Sequence, residues 1–150
     1  MEVKIETLSP CKVAYIRQVG LYGADNIQAM ERLKRWAGAN QLMGDDSVIL
    51  GIAWDDPQIT KPENCRYDTC LVVPEDFSPE ENDVLDRKMI GGRYAVFKIN
   101  HTAEAVQKAW SEIFSELAKR NLRPDGTRPI MERYAAQLVR EHFCEICVPI

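Results

Sequence analysis

Lys12-Val-Ala-Tyr-Ile-Arg-Gln-Val-Gly20 alternates polar residues with β-branched and aromatic ones, and Arg93-Tyr-Ala-Val-Phe-Lys-Ile-Asn-His101 repeats the same plan. Both segments begin on a basic residue, share an alanine two places on, and continue through aromatic, basic and apolar positions. Such alternation at period two is the pattern of a half-buried strand. After each segment the period changes to that of a helix. Ile27, Met30, Leu33 and Ala37 recur at helical spacing in the first copy, and Val106, Trp110, Ile113, Phe114 and Leu117 in the second. Thr102 is placed to cap the second helix, with Glu104 in its first turn.

Polar breaks follow both helices, Gly44-Asp45-Asp46 and Arg123-Pro-Asp-Gly126. A strand comes next in each copy, Val48 to Trp54 matching Pro129 to Tyr134. A last strand closes on proline, Thr69-Cys-Leu-Val-Val-Pro74 against Cys144-Glu-Ile-Cys-Val-Pro149. The reading is a duplicated β-α-β-β unit: a first repeat over about residues 1–74, an acidic, solvated connector over 75–88 with at most one helical turn, and a second repeat over about 89–150. A few strands and one helix leave an apolar sheet face or edge uncovered. The two copies are therefore expected to share one antiparallel sheet and one core, an α+β domain of 150 residues.

The bulk numbers fit that size. With 45% hydrophobic and 28% charged residues the chain has globular composition. A net charge of −4, with no clustered Lys and Arg, argues against direct nucleic-acid binding. No apolar window approaches the roughly 20 residues of a membrane span. The odd set of five cysteines in strand-like surroundings suggests reduced thiols and a cytoplasmic protein. An exposed edge strand could support a homodimer, although no interface signature stands out.

Glu132 is the most informative residue. In Pro129-Ile-Met-Glu-Arg-Tyr134 it shares a face with Tyr134. Through the repeat its counterpart is Ile52, and that of Tyr134 is Trp54, so the face reads as interior. A carboxylate there is costly unless paired or used. It either attracts a cationic ligand among aromatic rings or faces solvent against Arg133 or another arginine. Trp110 stands opposite Met30 in the repeat and is either core or pocket wall. Trp54 and Tyr67 carry the same ambiguity. Cys144 and Cys147, three apart in a strand, face opposite ways and cannot share a metal. His101 and His142 are isolated. No metal, cofactor, phosphate loop or Ser/His/Asp arrangement is expected.

Gly51-Ile-Ala-Trp-Asp-Asp-Pro57, Cys65-Arg-Tyr-Asp-Thr-Cys70, Ile90-Gly-Gly-Arg-Tyr-Ala-Val96, Ala109-Trp-Ser-Glu-Ile-Phe114 and Pro129-Ile-Met-Glu-Arg-Tyr134 together resemble the GyrI-like effector-binding family, over about Lys4 to Pro149. The family includes DNA gyrase inhibitory protein and effector domains of AraC-type and MerR-type regulators. The resemblance implies an SHS2-type duplication with a ligand cleft between the two helices. It also implies a multidrug-type pocket for cationic or amphipathic aromatic compounds, with Glu132 as counter-ion. Trp110, Trp54 and Tyr134 fall at matching aromatic positions; Tyr67, Ile52 and Met30 complete the expected ligand-binding set. The resemblance leaves two other activities open, hydrolysis of strained cyclopropane-bearing electrophiles in the same cleft and modulation of gyrase. The domain begins at Met1 without a helix-turn-helix, so a free-standing binder is expected in place of direct transcription control.

Overall fold

A computed structural model describes residues 1–150. Its eight strands are β1 (Glu2–Leu8), β2 (Cys11–Val19), β3 (Val48–Ala53), β4 (Arg66–Val73), β5 (Leu85–Met89), β6 (Gly92–Asn100), β7 (Met131–Ala135) and β8 (Phe143–Pro149). They form one antiparallel sheet in the order β1-β6-β8-β7-β3-β4-β2-β5. Three helices accompany it, α1 (Ala24–Ala39), α2 (Ala103–Lys119) and the short α3 (Ala136–Arg140). The expected α+β class and the shared sheet are observed. The expectation of two helices omitted α3, because Ala136-Gln-Leu-Val-Arg140 is too short to show helical periodicity.

The helices form for visible reasons. Thr102 caps α2, its hydroxyl accepting from the Ala105 N–H at 3.1 Å. Ala109, Ile113 and Leu117 are buried at intervals of four, and Ala29, Leu33 and Ala37 hold the same spacing on α1. Two stripe residues depart from expectation: Ile27 is 63% exposed and Phe114 is 47% exposed. The helix-side core has two lobes. α1 covers Ala14, Ile16, Ile49 and Leu71, while α2 covers Ala95, Phe97, Ile146 and Val148. Tyr134 packs against both.

The stretch read as a solvated connector is partly core. Val84 is buried in the α1 lobe, Phe77 packs edge-on against Trp36, and Leu85–Met89 is the edge strand β5 paired to β2. Its Asp86, Arg87 and Lys88 made it read as loop, yet charge is ordinary on an edge strand. The strands also cross between halves. β1, from the start of the chain, pairs with β6, and β5 pairs with β2.

Those crossings roll the sheet. β1 and β2 lie six places apart in the strand order, as do β5 and β6. Flat, that is about 29 Å at ~4.8 Å per strand. Yet only Ser9 and Pro10 join the first pair and Ile90 and Gly91 the second, a reach of about 11 Å. The sheet must therefore curl toward its helix-free face until its ends meet. Val13 and Met89 from one end pack with Tyr94 and Val96 from the other, over Leu50, Ile52, Met131 and Cys147. At the crossing point a Cβ on Gly91 would lie 2.1 Å from the Leu8 carbonyl oxygen and 2.7 Å from the Pro10 nitrogen.

Arginine–carboxylate clusters occupy this inner face. Asp68, fully buried, accepts two hydrogen bonds from Arg17 at 2.8 Å, one from Trp54 Nε1 at 2.6 Å and another from Arg87. The Arg87 guanidinium lies between the rings of Tyr15 and Trp54. Glu145, 3% exposed, is paired with Arg133 at 2.9 Å, and Arg133 also reaches Glu6.

Because the atoms facing Gly91 are backbone, they cannot give way as a side chain would. Gly91→Ala is expected to destabilise the protein by about 3 kcal/mol or more, the upper end of overpacking costs. The Gly126→Ala control, where a Cβ meets nothing within 4 Å, should lose far less. Urea unfolding of both variants checks this; equal midpoints would refute the close crossing.

Candidate functional site

Beside α1, over the β3–β7 junction, lies a cavity of about 500 Å³; α1 and α3 supply its helix wall and α2 none of it, so it is not the hollow between two helices that the resemblance implied. Met30, Tyr67, Tyr134, Ile49 and His101 are among the residues that line it. Three of the seven residues expected at the site are thus in its wall: Met30, Tyr67 and Tyr134.

Glu132 lies directly behind the two tyrosines. Period two puts its side chain on the helix side with Tyr134, and it stands across from Gly51 of β3. Tyr67 Oη donates to Glu132 Oε1 at 3.4 Å, and Trp110 Nε1 donates to Oε2 at 3.4 Å. No arginine, lysine or histidine is among its partners. The arginine pairing left open by the sequence does not occur, since Arg133 points to the opposite face and is taken by Glu145 and Glu6.

Burial pushes the Glu132 carboxyl above its ordinary range, and the donors around it, Trp110 first and then the two tyrosine hydroxyls, offset only part of that. Burial, reinforced by the neighbouring negative charge, raises Tyr67 and Tyr134 as well, so both stay protonated donors. Cys144, on the helix side, is pushed up to about 11 by burial, and Cys147, on the inner face, to about 12. Neither thiol is a nucleophile at neutral pH.

Gly51 makes the arrangement fit. A Cβ there would meet the Tyr67 hydroxyl oxygen at 2.2 Å, so the absent side chain is what lets Tyr67 lie across β3 toward Glu132. The expected twin of Glu132 was Ile52. In the sheet Ile52 and Trp54 lie on the other face, Ile52 in the inner core and Trp54 bound to Asp68, so neither lines the cleft. The reason is a one-residue slip, which in a strand exchanges faces. Trp110 does sit opposite Met30 in the helical spacing, but it closes over Glu132 from the second lobe and does not line the cavity.

His101 went unread as a site residue. It directly follows β6, its ring lies 5.4 Å from that of Tyr134, and it borders the cavity. Asn26, Met43 and Val139 are also in the wall, from α1, the turn after α1 and α3. Nothing in their local sequence marks them, because the cleft gathers them through topology. The far wall is held by Gln137–Asp46 and Arg140–Asp45 contacts, each 3.0 Å. No three His, Cys, Asp or Glu side chains are gathered as a metal site. No helix is long and apolar enough to cross a membrane.

A largely apolar cavity with buried polar groups behind its wall is the arrangement of a small-molecule site. Comparison with known proteins agrees. Over its whole length the chain is 46% identical to the SPbeta prophage-derived protein YosT of Bacillus subtilis (strain 168), covering 99% of that protein. In fold it is similar to the EcmrR C-terminal domain, with a TM-score of 0.73 at 13% identity over 99% of this chain and 96% of that one. It is also similar to SAV2435 bound to tetraphenylphosphonium, with a TM-score of 0.59 at 16% identity over 99% and 93%. The model of the GyrI-like small molecule binding domain matches residues 1–150, and the chain belongs to that family.

Proposed function

We propose that this chain captures cationic or amphipathic aromatic small molecules in the cavity beside α1, with Glu132, behind its tyrosine wall, as their counter-ion. One observation carries the reading. Three sheet carboxylates are largely withdrawn from water, Asp68 and Glu145 fully buried and Glu132 partly so, and the two buried ones hold arginine partners. Glu132 alone has only neutral donors, and it lies next to the cavity. A desolvated charge lacking its partner is a site that a cation completes. The tyrosine rings of the wall offer cation–π contact. SAV2435, which shares the fold, is described bound to tetraphenylphosphonium, a hydrophobic cation of that type.

The architecture is read in the same proposal as one domain of two β-α-β-β copies of SHS2 type. The repeated burial spacing on α1 and α2 supports it, as does the reciprocal pairing of β1 with β6 and β5 with β2. Trp110 acts here as a donor that steadies the carboxylate, and Met30, its positional twin, leaves room for the ligand.

Glu132→Gln tests the counter-ion directly. Titration with tetraphenylphosphonium, followed by tryptophan fluorescence, should show a loss of about tenfold to a hundredfold in affinity, the scale of one charged contact. Wild-type affinity should rise with pH as Glu132 ionises, and the variant should lose that part of the rise. Equal affinities at neutral pH would rule out the counter-ion role.

The ligand-free protein should respond in the opposite sense. A raised carboxyl pKa contributes stability that is complete below the unfolded value of about 4.3 and is lost as pH climbs through the raised folded value. Glu132→Gln, neutral throughout, should therefore melt higher than wild type at pH 8, and that advantage should shrink toward pH 4. Thermal melts at both values check it; a pH-independent difference would count against a strained carboxylate.

A further inference from the structure

β1 is the outermost strand at one end of the sheet and pairs with β6 alone. No loop or cap hydrogen bond reaches the backbone of residues 2–8, so the groups along its outer edge stand unpaired. Open edges are ordinarily shielded by a bulge, a proline, a covering element or charge. β1 contains no proline, and its register with β6 runs without a bulge. Ile5, on the helix side with Val3, is 46% exposed. Lys4 and Glu6, on the inner face, are therefore its guards. Glu6 accepts from Arg133 at 3.0 Å and lies 3.6 Å from the exposed Lys4.

Such charges repel neighbours that do not answer them, and a second β1 does answer them. About a twofold axis normal to the sheet, the register that engages all seven residues of β1 is centred on Ile5. It sets Lys4 of each copy directly opposite Glu6 of the other, Val3 opposite Thr7, and Ile5 against Ile5. Moving the centre to Lys4 or to Glu6 sets that residue against its own copy, and like charges directly opposite are destabilising. The other edge strand, β5, has no such register. Centred on Asp86, Arg87 or Lys88, it brings that residue against itself.

We propose that β1 joins two copies of this chain, antiparallel about Ile5, so that their sheets run on into each other. Side chains directly opposite in such a pair stand about 5 Å apart at Cβ. The two exposed isoleucines then bury each other, and the Arg133–Glu6 pair of each copy gains Lys4 of the other. The contact is small for a specific interface, so a Kd on the order of 10 μM is expected. The joint is remote from the cavity over β3 and β7 and does not rest on the reading of that site.

Sedimentation velocity of the full chain, from about 1 to 300 μM, should show monomer giving way to dimer. Lys4→Glu and Glu6→Lys each set like charges opposite twice, and each should weaken association by about tenfold or more. Mixed in equal amounts the two variants should associate again at near wild-type strength, because each supplies the charge that the other lacks. A wild type that stays monomeric throughout overturns the proposal. So does a dimer that both variants leave intact, or a mixture of the two folded variants that does not associate. Thermal melts verify folding. Because Glu6 also holds Arg133, Ile5→Lys, at an exposed position, carries the test should Glu6→Lys not fold. It should melt cooperatively and remain monomeric; association at wild-type strength overturns the proposal.

Discussion

Two connections of two residues each have to join opposite ends of an eight-stranded sheet, and most of the molecule follows from that constraint. Because Ser9-Pro10 and Ile90-Gly91 reach only about 11 Å, the sheet cannot lie flat. Curling brings its ends together on the helix-free side, so strands from both halves bury one inner core without a covering layer. The helices then occupy the outer curve, each over its own end of the sheet. A curved sheet splays elements packed on its outer side, and the gap falls over the β3–β7 seam, where the cavity lies.

The roll also distributes charge. Polar groups on the inner face are deprived of water, and Asp68 and Glu145 are tolerated there because arginines close on them. Arg17, Arg87 and Arg133 are consumed in doing so. On the outer side Glu132 is one residue away from Arg133 in sequence but separated from it by the sheet. Strand alternation thus isolates the carboxylate from the nearest cation, and only tyrosine and tryptophan donors are left to it. Its unfavourable state is a product of register as much as of burial.

Much of this was legible in the sequence, and the errors have a common cause. Alternation in β2 and β6, the stripe of α2 and the Thr102 cap were readable because one side of each element meets solvent or a defined partner. The shared face of Glu132 and Tyr134 followed from period two alone. β3 was different. Val48-Ile-Leu-Gly-Ile-Ala53 is apolar on both faces, so its pattern carries no phase, and the repeat could be aligned one residue out. That slip named Ile52 in place of Gly51 and drew Trp54 into the cleft. β5 failed for the opposite reason: its charges belong to an edge and an inner-face cluster, and in a linear reading they look like solvent-exposed loop.

The same off-by-one error hid the feature that gives the site its shape. Isoleucine opposite glutamate would suggest simple replacement of an apolar group by a charged one. In the sheet glycine faces glutamate across the β3–β7 pair, and Tyr67 fills the space that a side chain on Gly51 would take. A second asymmetry lies above it, where Met30 borders open space while Trp110, at the same helical spacing, closes down on Glu132. The tryptophan fills its side of the seam and the methionine leaves the other open, so the cavity lies beside α1 with the carboxylate behind its tyrosine wall.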